Sequence, residues 1–178
     1  ALLERMGGDH GFRVDVVGPA GDDRVRRWSS TDIRRYCAEG DVAAAAEALG
    51  RPFRVEGVVV RGHRRGRPMG FPTANVPARE GEVVPADGVY AGWLTRLDEK
   101  DAPLWPAAIS VGTNPTFDGL ERTVEAHVLD RDDLELYGVP VAVDFIGWIR
   151  AQVRFSDVDE LVARMHRDVD EVRALLAL

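Results

Sequence analysis

The 178-residue chain is 45% hydrophobic and 30% charged, the balance of one globular domain long enough to bury a core without staples. Its formal net charge of −7 argues against a general nucleic-acid binder, and no apolar run approaches the roughly 20 residues of a membrane helix. The one cysteine, Cys37, excludes an internal disulfide and a multi-thiolate metal site and points to a reducing, cytoplasmic compartment, while the one lysine, Lys100, sits in a solvated turn and nearly excludes lysine chemistry.

Residues 11–17 alternate in the manner of a strand, and residues 18–23 form a turn. Ser30 is the expected N-cap of a short helix to Glu39, stopped by Gly40. Asp41 caps a second helix from Val42 to Leu49, stopped by Gly50. This α-rich first third is too small to hold a core alone, and Arg51-Pro52 reads as a boundary. Strand composition then appears over 53–60, 88–94, 106–111, 122–129 and 139–149, with a glycine-, arginine- and proline-rich loop over 62–72. Short strands separated by turns, with no helices between them, indicate an antiparallel barrel or sandwich. A last helix opens at Ser156 and carries an apolar stripe from Val158 through Leu161, Met165, Val169 and Val172 to Leu176. That stripe is expected to cover one mouth of the barrel.

Four segments hold residue types that could do chemistry. Arg61-Gly62-His63-Arg64-Arg65-Gly66-Arg67-Pro68-Met69-Gly70 concentrates arginine and glycine, which suit phosphate oxygens and close backbone approach. Taken alone, solvated charge is its simpler reading. In Gly70-Phe71-Pro72-Thr73-Ala74-Asn75, Thr73 and Asn75 lie two apart, so an extended backbone points both the same way and offers two oxygen ligands of the type Mg²⁺ accepts. A turn that uses them to satisfy backbone groups is the alternative. In Thr123-Val124-Glu125-Ala126-His127-Val128 the valines and alanine face a core; Glu125 and His127 face away, either as candidate bases or as solvated side chains. Residues 110–119 read as a long loop carrying Asn114.

Together these residues resemble a known family. The run Gly62…Gly66-Arg67…Gly70-Phe71-Pro72-Thr73-Ala74-Asn75, then Gly88-Val89-Tyr90, Val111-Gly112-Thr113-Asn114-Pro115-Thr116-Phe117, Val124-Glu125-Ala126-His127 and Leu136-Tyr137-Gly138, is similar to riboflavin kinase over residues 52–178. Residues 29–34, 40–42 and 49–52 resemble the end of the adenylyltransferase domain of bacterial bifunctional FAD synthetases. The resemblance implies a mainly β fold: a six-stranded antiparallel Greek-key barrel with a C-terminal helix over 52–178. Ahead of it, 1–51 would be a small α-rich remnant of an α/β nucleotidyltransferase domain. It implies transfer of the ATP γ-phosphate to the riboflavin 5′-hydroxyl, without FAD synthesis by this piece. Implied site residues are Glu125 as catalytic base; Gly62, Arg67, Gly70, Pro72, Thr73 and Asn75 for ATP; Thr73 and Asn75 for Mg²⁺; and Asn114, Val158 and Asp159 for riboflavin. Ser156 stands where the family often has an acidic residue. Implied partners are riboflavin/FMN and ATP/ADP, with no nucleic acid and no membrane. Any self-association is expected through the adenylyltransferase domain of a full-length enzyme. The rival class is a small barrel that binds RNA or flavin without catalysis.

Overall fold

The computed structural model describes residues 2–17, 21–22, 26–62, 66–79, 81–116 and 119–178. Helix α1 (Leu2–His10) opens it, an element that the sequence reading missed. Residues 12–17 form no ladder, so the alternation there does not make a strand; a strand needs a neighbour for its N–H and C=O groups. A short hairpin follows, β1 (Gly21–Asp22) with β2 (Arg26–Arg27). Helix α2 (Ser30–Glu39) is capped by Ser29 rather than Ser30, because the Ser29 hydroxyl is the one that accepts from the Asp32 N–H, at 3.1 Å. Gly40, at φ 79°, ends it in the left-handed conformation that glycine adopts without penalty. Asp41 caps helix α3 (Val42–Leu49) through the Ala44 N–H at 2.9 Å, as expected.

Six strands follow: β3 (Phe53–Val58), β4 (Ala74–Pro77), β5 (Gly88–Arg96), β6 (Trp105–Thr116), β7 (Gly119–Val128) and β8 (Pro140–Ala151). All pair antiparallel in the order β3-β8-β5-β6-β7-β4. Strands β5, β6 and β7 are consecutive hairpin partners and β8 returns beside β5, which is a Greek key. The two edges β3 and β4 meet at a bridge just past β3, where the Val60 N–H donates to the Asn75 carbonyl at 2.8 Å, so the barrel is nearly closed. This is the mainly β, six-stranded barrel expected.

Two sequence expectations differ in detail. The four-residue β4 is not among the expected strands because it is too short to show a period. Residues 110–119 are not a long loop: β6 and β7 stay paired out to Thr116 opposite Gly119. Glycine, asparagine and proline there suggested a turn. Past Val111, however, β6 has no ladder with β5, and Pro115 is tolerated on such a free edge.

Alternate residues of the strands fill the barrel. Val55, Val76, Leu94, Ile109, Val111, Val124, Val141, Val143 and Phe145 are all fully buried in one cluster. Tyr36 and Cys37 of α2 and Val42 and Ala45 of α3 belong to the same cluster. Helix α4 (Val158–Leu176) is capped by Asp157, not Ser156, through the Glu160 N–H at 2.8 Å. Its Val169, Val172 and Leu176 join Ala91, Ala108, Leu129 and Ile149 in a second cluster. Ala108 alternates with the inward Ala107 and Ile109, so α4 lies along the outer wall of the barrel rather than across a mouth. Small residues make the bed for it: a Cβ on Gly147 would meet Leu175 at 2.7 Å.

Candidate functional site

Strand register lines up one row of residues across five strands. Asn75 on β4 lies opposite Glu125 on β7, which lies opposite Ser110 on β6, then Val89 on β5 and Arg150 on β8. Directly paired residues point to the same face. Because Val76, Val124, Val111 and their neighbours point inward, the Asn75, Glu125 and Ser110 side chains stand on the outer wall. The row is therefore a consequence of the two-residue period and of the hydrophobic pattern that fixes each register.

Thr73, just before β4, joins the row at its first end. Its hydroxyl lies 3.4 Å from a Glu125 carboxylate oxygen and accepts from the Asn75 side-chain amide at 3.2 Å. The same amide donates to the Thr73 carbonyl at 3.3 Å, and Asn75 is only 8% exposed. Gly62 makes this cluster possible, since a Cβ there would collide with the Asn75 amide. Ahead of Thr73, Arg67–Met69 forms a single 3-10 turn that closes with Gly70 at φ 84°, whose N–H donates to the Arg67 carbonyl. The Phe71 ring sits between those of His127 and His166, at 5.1 and 5.0 Å. His127 Nδ1 is 2.9 Å from the Pro72 carbonyl. A carbonyl only accepts, so Nδ1 carries the hydrogen. Burial pushes the His127 pKa below its ordinary value, with the Pro72 bond and Asp130 opposing.

Three depressions surround the row. The first carries more basic than acidic side chains, Arg61, Arg67 and Arg131 against Asp132 and Glu135, and includes Gly62, Thr73 and Asn75. The Arg61 guanidinium stacks over Tyr137 at 4.8 Å. The second is walled by Met69, Phe71, Phe155, Leu161 and Met165 and contains Glu125 and His127. Gly66 and Thr73 line both. The third is polar, with Asp87, Thr113 and Arg154, and shares Ser110, Glu125 and Gln152 with the second.

Of the residues singled out from sequence, Gly62, Arg67, Pro72, Thr73 and Asn75 come together in the first cleft, and Glu125 borders the other two. Gly70 shapes the turn but lines none of the three. His63, Arg64 and Arg65 lie outside the described residues, as does the Asn114 side chain, whose backbone pairs with Glu121. Val158 and Asp159 are exposed in the first turn of α4 and line none of the three clefts; Leu161 and Met165, further along that helix, line the second. Sequence reasoning missed Phe71, Arg150, Gln152 and Asp168. One signal was present: Asp168 interrupts the stripe of Leu161, Met165 and Val172, a position where an unpaired charge would not be buried.

Among the described residues no three His, Cys, Asp or Glu side chains gather to hold a metal. The Thr73 hydroxyl, Asn75 amide and Glu125 carboxylate are oxygen groups, which fit a hard cation held by one or two protein ligands and by substrate phosphates.

The riboflavin kinase (Flavokinase) family model matches residues 49–176. The bifunctional riboflavin kinase/FMN adenylyltransferase of Escherichia coli (strain K12) is 40% identical over 177 residues, covering 99% of this chain and 55% of that protein. Its counterpart in Haemophilus influenzae is 35% identical over 98% of this chain and 54% of its own length. The chain thus spans about half the length of the curated relatives it matches. A Streptococcus pneumoniae crystal structure described as a macrolide-efflux protein superposes with a TM-score of 0.79 at 35% identity, covering 96% of this chain and 54% of that one. The riboflavin kinase of Trypanosoma brucei gives 0.53 at 28% identity, over 71% of this chain and 80% of that one. With 128 consecutive residues matched, the barrel, its outer-wall row and α4 included, the chain belongs to the riboflavin kinase family.

Proposed function

We propose that this chain transfers the γ-phosphate of ATP to the 5′-hydroxyl of riboflavin, giving FMN and ADP. The observation that carries the reading is the position of Thr73, shared by a basic cleft and an apolar one with its hydroxyl 3.4 Å from Glu125. Phosphoryl transfer needs two reactants aligned and charge neutralised more than it needs covalent help. The arginine-bearing cleft suits the triphosphate. The cleft of Met69, Phe71, Leu161 and Met165 suits a flavin ring. Glu125 takes the hydroxyl proton as the riboflavin oxygen bonds to the γ-phosphorus and the bond to the ADP oxygen breaks. Thr73 and Asn75 are the residues to hold Mg²⁺, which when bound neutralises phosphate charge. The two clefts account for one phosphoryl transfer, so FMN and not FAD is the expected product. The lone reduced cysteine suits a cytoplasmic setting.

The test is Glu125→Gln, assayed with riboflavin, ATP and Mg²⁺ and with FMN resolved by chromatography. Gln keeps the size and one acceptor but takes no proton. Turnover should fall by about 10²–10⁴-fold, the usual cost of a lost general base, while riboflavin and ATP binding stay nearly intact. His127→Gln is the comparison. If Glu125→Gln stays within a few-fold of wild type while His127→Gln collapses, the base is His127. No FMN from the wild-type chain would overturn the whole reading.

A further inference from the structure

One wall of the apolar cleft is built by a single continuous stretch of chain. Arg150, Gln152, Val153, Phe155, Leu161, Met165 and Asp168 all line it, running from the end of β8 into the middle of α4. The first and last of these are bonded to each other. Arg150 Nε donates to Asp168 Oδ1 at 2.8 Å, and a second guanidinium nitrogen donates to Oδ2 at 2.6 Å. Arg164 adds a third bond to Asp168 at 2.7 Å and reaches Glu171 at 2.9 Å, so two cations and two carboxylates balance. Asp168 is only 4% exposed. A two-pronged pair at that depth holds its partners in one relative geometry.

The position of Asp168 along α4 explains what the pair does. Val169, Val172 and Leu176 dock the later half of the helix on the barrel wall. Leu161 and Met165, two turns and one turn earlier on the face of Asp168, have the cleft in front of them instead. The earlier half enters neither apolar cluster and is held by the pair at its boundary and by the His166 ring on Phe71.

We propose that Arg150 and Asp168 form a positioning pair for the flavin: they staple the two ends of the cleft-lining stretch and so set the height of Leu161, Met165 and Phe155 over the bound ring. The inference rests on the flavin assignment of this cleft. Neither residue lines the first cleft, the one assigned to the triphosphate, so the pair governs riboflavin affinity and leaves the use of ATP alone.

The experiment measures KM for riboflavin, KM for ATP and kcat, together with riboflavin binding by fluorescence titration, in Asp168→Asn, Arg150→Lys and Val172→Ala. Val172 is fully buried in the α4 dock but lines none of the three clefts, so its truncation loosens the helix without touching the staple. Asp168→Asn should raise KM and Kd for riboflavin tenfold or more, with kcat and KM for ATP within about threefold. Arg150→Lys keeps the charge, loses the two-pronged geometry and should move the same constants by less; it carries the test if Asp168→Asn does not melt cooperatively. Val172→Ala should lower the melting temperature and leave riboflavin KM unchanged. The proposal is overturned if the folded staple variants bind riboflavin within twofold of wild type, or if Val172→Ala weakens riboflavin as much as they do. A wild-type chain that neither binds nor phosphorylates riboflavin would instead remove the flavin reading itself.

Discussion

His127 and Glu125 stand two residues apart on the same side of β7, and their surroundings give them different work. Glu125 meets the hydroxyl of Thr73, whereas His127 gives its Nδ1 hydrogen to Pro72 and packs its ring on Phe71. Burial holds the His127 pKa below its ordinary value of about 6.5, so folding favours the neutral ring. That contribution is complete above about pH 6.5 and is lost as pH falls through the lower, folded value. Melting temperature should therefore drop as the pH is taken from about 7 to 5, and His127→Gln should flatten part of that drop. An unaltered slope in the variant would mean that other groups carry the acid sensitivity. At this scale the candidate site was partly legible: the shared facing of Thr73, Asn75 and Glu125 follows from alternation, which is local, while their roles came from the family resemblance. The Phe71 stack and the Arg150–Asp168 pair join residues far apart in sequence, and no local pattern encodes their meeting.

Capping and pairing decide what could be read of the elements. Helices α2 and α3 both end at the expected glycines, because a left-handed terminus is a one-residue property. The N-caps of α2 and α4 each moved by one residue, since adjacent Ser29-Ser30 and Ser156-Asp157 offer two candidates and only backbone direction chooses between them. In α4 the choice is testable. Asp157 caps the helix, while Ser156 bonds the Glu160 carboxylate from outside it. Asp157→Ala should cost about 1 kcal/mol of stability, read from denaturant midpoints, and Ser156→Ala clearly less. Equal losses would make the two residues one shared cap. Strand β4 and the outer half of the β6–β7 hairpin were missed for a different reason: their strand character comes from a partner, and composition cannot announce a partner.

The whole molecule was legible as an antiparallel barrel or sandwich because five of its strands carry their own pattern, and the family resemblance chose the barrel. The path of α4 was not: a stripe of apolar residues says that a helix is covered, not whether an outer wall or an open end covers it. Helices α2 and α3 share the core of the barrel, so the first third and the strands stand on common packing. The seam between β3 and β4 has a consequence for motion. A Greek key of this kind has one place where it can part without breaking a full ladder, and here that place is a lone bridge between Val60 and Asn75. The basic cleft is lined from both sides of it, by Val59 and Val60 on one and Thr73 and Asn75 on the other. A nucleotide seated there would act as a clasp across the parting line, and whatever binds only the closed form suppresses opening. Amide exchange should report it directly. The Val60 N–H, bonded across the seam, should exchange faster than the Ile109 N–H of central β6 in the free protein, and should slow markedly with ADP and Mg²⁺. If added nucleotide protects Val60 no more than Ile109, the barrel does not breathe along its seam, and catalysis would take place on a wall that never opens.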